Sequence, residues 1–181
     1  DIELAADINY IQKGFEFTPT FFDYYSRINF EGFFQSEKYY SDYEDIIRTE
    51  FQLRDEKKLL FAQTKVNEIR QANPGKELVS VHVRRGDTVP SKVNYGDKHI
   101  GAYRKDKELK HPLLKESYFR QAMEYYPDSI FLFFSDTNED IKWCKETFNN
   151  SNNIFLHYND LIDFTLMQLC DHNIISNSTF S

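Results

Sequence analysis

The sequence predicts an α/β fold in which the second part of the chain forms a doubly wound parallel sheet. From residue 76 onward, short apolar runs alternate with helical patterns, which is the order of a repeated β-α unit. The runs 78–83 and 129–134 are apolar almost throughout, as expected for strands that helices cover on both faces. Several runs end in polar residues, and in a parallel sheet these strand ends lie together at one edge.

The first 75 residues predict a largely helical region. No element is assigned to 1–35, which is aromatic and irregular. Ser36 is the expected cap of a helix over 36–51. Its apolar stripe at helical spacing is Tyr39, Tyr40, Tyr43, Ile46, Ile47 and Phe51. A second helix is predicted over 55–71 and ends at Asn73-Pro74-Gly75. Its inward residues are expected to be Leu59, Leu60, Val66 and Ile69.

Hydrophobic spacing then assigns each later element. In order, we predict strand 78–83, loop 88–115, helix 116–126, strand 129–134, helix 138–148, strand 153–156, helix 160–170 and strand 172–176. The helix over 160–170 is apolar almost all round, so we expect it to be buried.

Composition limits the possible partners. The chain has 181 residues and a net charge of −7, which disfavours nucleic acid but is compatible with a local cationic pocket for a small anion. Cys144 and Cys170 lie in apolar helical patterns and are interpreted as core thiols. No run of about eighteen apolar residues and no metal-ligand spacing occurs. The chain lacks a starting methionine and stops directly after a strand, so we expect a fragment of a longer protein.

The most informative segment is 78–87, which reads Leu-Val-Ser-Val-His-Val-Arg-Arg-Gly-Asp. A buried strand here delivers two arginines to its carboxyl end, where open α/β sheets bind ligands. Arginine grips phosphate through two parallel N–H donors, and Gly86 permits a sharp turn. We therefore expect a phosphate-bearing ligand. A surface turn with solvated charges is the alternative.

Three predicted strand ends together describe a nucleoside-diphosphate site: 82–87, 135–136 and 176–179. Arginines neutralise the diphosphate, hydroxyls and backbone N–H groups hold the remaining oxygens, and Asp136 accepts donors from a guanine edge. Ordinary alternatives stay open. Asp136 could cap the next helix, Ser178 and Thr179 could be turn hydroxyls, and His82 could be a core histidine.

Two absences narrow the chemistry. No two aspartates are separated by one residue, a spacing that often holds a metal on a diphosphate, so protein cations are expected to balance the leaving group. Neither a Gly-x-Gly-x-x-Gly nor a Gly-Lys-Ser/Thr loop occurs, which disfavours dinucleotide and P-loop binding.

Four motifs resemble glycosyltransferase family 11, the α-1,2-fucosyltransferases: 32–40, 82–87, Phe-Phe-Ser-Asp at 133–136, and the closing 163–181. The resemblance implies a Rossmann-like parallel sheet within a two-domain GT-B type enzyme. It implies transfer of L-fucose from GDP-fucose to the 2-hydroxyl of a terminal galactose, with inversion and without a metal or cofactor.

The family pattern also implies roles for individual residues. Arg84 holds the β-phosphate and Arg85 supports it, while His82 and the Asp136 region read guanine. Other predicted donor-binding residues are Gly86, Asn177, Ser178, Thr179 and Phe180. Asp87 joins the two arginines as a predicted catalytic residue. The general base stays open among Asp87, Asp97, His99 and His111.

The chain departs from the family at two points. Thr137 replaces the second aspartate of the middle motif, so Asp140 is an alternative guanine contact. The second departure is at the ends, where the family's Gly-Asn-Gln-Leu-Phe-like N-terminal motif and the tryptophans that usually follow Thr-Phe-Ser are missing, which supports the fragment interpretation. Residues 1–75 are expected to belong to the acceptor-side region, and 76–181 to a truncated donor-binding domain.

The implied partners are a nucleotide-sugar donor and a galactose-terminated glycan, with no nucleic acid. Localisation is expected to be cytoplasmic of the bacterial type, with peripheral membrane association, or Golgi if a lost N-terminus carried an anchor. Two other functions stay open: transfer from another nucleotide sugar or to another linkage, and a non-catalytic nucleotide- or carbohydrate-binding module.

Overall fold

A computed structural model describes residues 8–14, 16–23, 27–32, 34, 36–85, 114–176 and 178. The chain divides into two compact units, Asp1–Gln52 and Leu53–Ser181. The second unit begins ahead of the helix that leads into the sheet, whereas the predicted donor-binding region starts at residue 76. That helix therefore belongs to the same compact unit as the sheet.

The first unit contains a two-stranded parallel sheet that sequence patterns did not predict. β1 (Ile8–Ile11) pairs with β2 (Ile28–Glu31) in a register that places Ile11 opposite Glu31. Four-residue strands among many aromatic residues carry too short a pattern to distinguish strand from turn. The described residues of this unit also form 3₁₀ turns at Pro19–Asp23, Glu37–Tyr39 and Ser41–Tyr43, and the short helix α1 (Glu44–Glu50).

Only the last part of the helix predicted over 36–51 is α-helical. Ser36 caps a 3₁₀ turn, where its hydroxyl accepts a hydrogen bond from the Lys38 backbone N–H at 3.4 Å. Tyr39 is buried, and its hydroxyl accepts from the Thr18 N–H at 2.9 Å. Most of the predicted apolar stripe is instead exposed: Tyr40, Tyr43, Ile46 and Phe51. Burial of the Tyr39 ring among other aromatic rings has overridden the helical spacing.

The described residues of the second unit form four parallel strands: β3 (Leu78–His82), β4 (Ile130–Phe134), β5 (Asn153–Phe155) and β6 (His172–Ile174). They lie in the order β5-β4-β3-β6, and the predicted parallel arrangement is confirmed. Every residue of β3 and β4 is buried, which explains their continuous apolar character.

Helices cover both faces of this sheet, so the doubly wound arrangement is also confirmed. The helices are α2 (Glu56–Ala72) and α5 (Asp160–Gln168) on one face, and α3 (Glu116–Met123) and α4 (Asn138–Thr147) on the other. Successive side chains of β4 alternate between the two cores, with Leu132 in one and Phe133 in the other. Among the described residues, no helix combines the length and apolarity needed to cross a bilayer.

The inward face of α2 differs from the predicted one at Leu60. The buried positions are Ala62, Val66 and Ile69, whereas Leu60 is 65% exposed. Leu60 precedes Ala62 by two residues, which places it on nearly the opposite side of a helix with 3.6 residues per turn. The helix ends are as predicted: Asp55 caps the start, and the chain leaves the helix at Asn73 before Gly75, whose φ is 79°.

A second correction concerns α5, which is not buried all round. Its inward residues include Leu166 and Met167, but Leu161 is exposed. Both cysteines are free thiols in apolar surroundings, as predicted. Burial raises the pKa of Cys144 and of Cys170 to about 12, so neither is a thiolate near neutral pH.

We expect Leu132→Ala to lower the free energy of unfolding by about 2–5 kcal/mol, because it leaves a cavity beneath the central sheet. Leu60→Ala is the matched control, and its exposed side chain should change stability by no more than about 0.5 kcal/mol. Urea unfolding followed by circular dichroism measures both variants. Equal losses in the two would contradict the assignment of these leucines to core and surface.

Candidate functional site

The carboxyl end of β3 is tied to both neighbouring strands by serine hydroxyls. Ser135, directly after β4, donates its hydroxyl to the Val83 carbonyl at 2.6 Å. Ser176, just after β6, donates to the His82 carbonyl at 2.6 Å and accepts from the Arg84 N–H at 3.0 Å. Both serines are buried. Their hydroxyls provide hydrogen-bond partners for backbone groups at the end of β3, where the regular strand pairing stops. The chain that carries the two arginines therefore leaves the sheet along a fixed path.

The strand order places this edge at a topological switch point. Along the chain, β4 and then β5 are added on one side of β3, whereas β6 is added on its other side. In open α/β sheets, ligands bind in the crevice outside the carboxyl ends of the strands at such a reversal. The predicted meeting of the tips after β3, β4 and β6 is borne out for the described residues His82, Arg84, Asp136 and Ser176.

Arg84 and Asp136 form the central charge pair. Their Nη1 and Oδ2 atoms are 2.5 Å apart, and their side chains are 33% and 23% exposed. The buried His82 ring places Nε2 3.9 Å from the other carboxylate oxygen of Asp136. Burial alone would raise the pKa of Asp136, but His82 and the positive charge of Arg84 outweigh it and hold that pKa below its usual value. Asp136 is therefore ionised at neutral pH.

Asp136 is not the cap of the following helix, which removes one alternative interpretation of this residue. Thr137 caps α4, and its hydroxyl oxygen accepts a hydrogen bond from the Asp140 N–H at 3.1 Å. The Asp136 side chain is thus left to face Arg84. The interpretation of His82 as a core histidine is correct for its burial, but His82 also lines the cavity described next.

A cavity of about 290 Å³ opens beside this pair. It lies between the ends of β3 and β4 and the start of α5. Its lining residues are His82, Arg84, Phe134, Ser135, Asp136, His157, Tyr158, Asp160 and Asp163. The volume is at the small end of the range for ligand pockets, and it suits a ring system or one sugar rather than a whole sugar nucleotide.

Asp163 lines the cavity although it is not among the predicted site residues; it is the first residue of the motif 163–181. Both of its carboxylate oxygens accept from the Tyr158 backbone N–H, at 3.1 and 3.2 Å, and His157 Nδ1 is 3.9 Å from one of them. Burial raises the pKa of Asp163 to about 6, although these neighbours oppose the change. The sequence did carry a signal, because an aspartate that interrupts an almost fully apolar helix is uncommon unless it has a role.

Arg85 points away from the cavity. Its Nη1 is 3.2 Å from Asp140 Oδ1, and its guanidinium carbon lies 4.0 Å from the centre of the Trp143 ring. The residues that line the cavity include Arg84 but neither Arg85 nor Asp140. The structure therefore separates the two arginines that were expected to act together on phosphate.

Several predicted site residues lie outside the described residues: Gly86, Asp87, Asn177, Thr179 and Phe180, together with the candidate bases Asp97, His99 and His111. Ser178 is described and half-buried, but it does not line the cavity. Within the described ranges, no group of three His, Cys, Asp or Glu residues is arranged to hold a metal ion.

Comparisons with known proteins agree on one family. The description "Glycosyl transferase family 11" belongs to the family model that matches residues 5–181. The chain is 32% identical over 111 residues to the "O-antigen biosynthesis glycosyltransferase WbnK" of Escherichia coli, covering 56% of this chain and 32% of that protein. It is 33% identical over 165 residues to the "Alpha-1,2-colitosyltransferase" of Escherichia coli, covering 85% of this chain and 49% of that protein. The chain thus spans about half the length or less of these relatives. No solved structure matches it.

We expect the Asp163 carboxyl to titrate near pH 6. Burial raises its pKa above the usual value of 3.8, so the folded chain holds an extra proton between about pH 4 and pH 6. The free energy of unfolding should therefore fall as the pH rises through that window, and Asp163→Asn should lack this contribution. Carbon-13 NMR of the side-chain carboxyls gives the midpoint directly.

Asp171 is the internal control for this titration, because hydrogen bonds from Arg70 lower its pKa. A midpoint for Asp163 at or below that of Asp171 would contradict the expected effect of burial.

Proposed function

This chain belongs to glycosyltransferase family 11, and we propose that it transfers L-fucose from GDP-fucose to the 2-hydroxyl of a terminal galactose, with inversion and without a metal. The single observation that carries the proposal is the position of Arg84 at a switch-point edge, where it lines a cavity together with several carboxylates. A nucleotide-sugar donor and a glycan acceptor follow from the family. The particular sugar, base and linkage are the proposal.

Arg84 is the proposed contact of the β-phosphate. A guanidinium has five N–H donors in a planar fork, so it can hold one carboxylate and still donate to a second anion. Its backbone is fixed by Ser176 and its side chain by Asp136, so little reorganisation is needed when the donor binds. As the bond to the sugar breaks, negative charge grows on the β-phosphate oxygen. A fixed cation at that oxygen stabilises the transition state more than the bound donor.

The cavity beside Arg84 is the proposed site of the guanine base. Guanine presents two neighbouring N–H donors, which a carboxylate accepts in parallel. Asp136 was the expected acceptor, but its two oxygens already face two side chains, Arg84 at one and His82 at the other. Asp163 lines the same cavity, and its two oxygens have about four acceptor positions, more than the Tyr158 N–H uses. We therefore place the base contact at Asp163 rather than at Asp136.

A second donor is favoured by one of the relatives. The relative that covers 85% of this chain is named an alpha-1,2-colitosyltransferase. Colitose has the configuration of L-fucose without the hydroxyl at C3, so the two sugars present the same anomeric chemistry. The residues that distinguish them must contact C3 of the sugar. Colitose transfer is thus the alternative function of this same site.

The acceptor is proposed to be a galactose-terminated glycan of a bacterial surface polysaccharide. The name of one relative places it in O-antigen biosynthesis, and a lipid-linked acceptor would bring the enzyme to the cytoplasmic face of a membrane. Peripheral association of a cytoplasmic enzyme is therefore the proposed localisation.

The deciding experiment is a titration calorimetry measurement with GDP, followed by transfer assays in the complete protein. Lactose serves as acceptor, and GDP-fucose, GDP-colitose and GDP-mannose are compared as donors, with the product linkage read by NMR. A fucosylated 2-hydroxyl supports the proposal, whereas preferential colitose transfer selects the alternative. Tight GDP binding with no product from any donor would assign a non-catalytic nucleotide-binding role. No GDP binding would overturn the site itself.

Arg84→Ala should lower kcat by a factor on the order of a hundred or more, by comparison with removal of one oxyanion donor. Turnover should suffer more than donor binding, because the contact strengthens as the phosphate departs. Arg48→Ala is the matched control, since Arg48 is largely exposed and pairs only weakly with Glu44 one helical turn away. Steady-state kinetics that show equal kcat in the two variants would remove Arg84 from the mechanism.

Asp163→Asn should weaken GDP binding by roughly tenfold to hundredfold, the range for a bidentate base contact. Inosine diphosphate lacks the exocyclic amine of guanine. The Asp163→Asn change should therefore weaken its binding less than it weakens the binding of GDP. In the wild type, GDP affinity should decrease as the pH falls below about 6, because the protonated carboxyl loses acceptor capacity. Asp160→Asn, a change at an exposed carboxylate of the cavity rim, is the control. Equal discrimination between the two nucleotides in all variants would contradict base recognition by Asp163.

A further inference from the structure

We infer that Arg85, Asp140 and Trp143 form a positioning cluster that locks the end of β3 onto α4 and thereby fixes Arg84 for its ligand. The inference rests on the proposed function, because it assigns Arg84 the contact with the donor. It gives Arg85 a different role from the phosphate contact that the tandem arginines suggest. These three residues are the cluster.

Arg85 is held on two sides by α4. Its guanidinium stacks over the Trp143 ring at 4.0 Å and pairs with Asp140 at 3.2 Å. Asp140 and Trp143 are three residues apart, so they lie on the same face of the helix. The side chains of Arg85 and Asp140 are only 15% and 9% exposed. A cation that is stacked and paired out of water in this way is strongly oriented.

The helix that receives Arg85 is itself fixed at the same residue. Thr137 and Asp140 are joined by two hydrogen bonds at the start of the helix: the Thr137 hydroxyl accepts from the Asp140 N–H at 3.1 Å and donates its proton to Asp140 Oδ2 at 3.0 Å. The other carboxylate oxygen of Asp140 receives Arg85. Asp140 therefore joins the first turn of α4 to the chain that leaves β3.

Arg84 and Arg85 are adjacent, and in an extended chain adjacent side chains point to opposite sides. One side is the cavity, where Arg84 meets Asp136, and the other is the face of α4, where Arg85 meets Trp143. Any shift of Arg85 along α4 would move the Arg84 backbone with it. A displacement of about 1 Å in a catalytic group can lower the rate about a hundredfold. The cluster thus acts on the reaction through Arg84 and not by contact with substrate.

Trp143 makes this cluster observable, because it is the one tryptophan among the 181 residues. In this chain of 181 residues, its emission reports on the ring beneath Arg85. Binding of GDP at Arg84 should change this emission in the wild type, and Arg85→Lys should change the starting spectrum, since an ammonium group cannot stack on the indole as a planar guanidinium does.

The test is a double-mutant cycle in the complete protein with Arg85→Lys, Trp143→Leu and the combined variant, assayed for GDP affinity, kcat and KM. Each single change should lower kcat about tenfold, within the range of a desolvated cation–π contact. The combined variant should lose about the same factor rather than the product of the two, because both changes break one contact. KM for the acceptor should stay within about twofold of the wild-type value, since the cluster acts only through Arg84.

Two controls separate positioning from general destabilisation. Tyr125→Leu removes another aromatic ring of the second unit that is 82% exposed, and kcat should not change. Trp143→Phe keeps an aromatic face and should recover most of the activity lost in Trp143→Leu, with thermal unfolding measured for every variant. If Trp143→Leu does not fold, Arg85→Lys and Trp143→Phe are compared instead. The decrease in kcat should then be larger in Arg85→Lys than in Trp143→Phe.

The outcomes distinguish this inference from the proposed function. Failure of the wild type to bind GDP overturns the proposed function and this inference with it. The positioning role alone is overturned by a different result. In that case the wild type binds GDP and turns over, but kcat of Arg85→Lys or Trp143→Leu equals that of Tyr125→Leu. Additive losses in the cycle also overturn it, because they would mean that the two residues act separately.

Discussion

The hydrogen bonds that hold the end of β3 between two serine hydroxyls determine the geometry of the whole candidate site. Ser135 and Ser176 come from the strands on either side, and both bind backbone groups of the segment that leads to Arg84. An unpaired backbone group at this depth would cost free energy, so these bonds are required as well as directional. The sheet therefore holds the backbone of Arg84 in a fixed position, although this residue lies beyond the last paired residue of β3.

Electrostatics then differentiate the carboxylates around the cavity. Asp136 and Asp163 line the same space, yet their pKa values move in opposite directions. Burial acts on both, but Asp136 faces the Arg84 guanidinium and the His82 ring, whereas Asp163 receives one backbone N–H and faces the His157 ring at 3.9 Å. The cavity thus contains two different carboxylates: Asp136 stays ionised, whereas Asp163 becomes protonated under mildly acidic conditions.

Neighbouring arginines have different surroundings for the same geometric reason. An extended chain turns successive side chains to opposite sides, so Arg84 meets the cavity and Arg85 meets α4. Two equivalent cations in one cavity would repel each other, and here each has its own carboxylate, Asp136 or Asp140. The tandem motif therefore supplies one group for a ligand and one for the scaffold that holds it.

The amino-acid pattern alone predicts the β-α alternation, the parallel sheet and the edge at which polar residues meet, because these follow from local periodicity and from the rule that parallel strands end together. It also predicts that His82, Arg84 and Asp136 meet at this edge, since each lies within a few residues of a strand end. Four features become visible only in three dimensions: Leu60 faces solvent, β1 pairs with β2, Asp163 lines the cavity and Arg85 contacts Trp143. These four depend on contacts between residues distant in the chain, and hydrophobic spacing along one segment contains no information about which distant group packs against it.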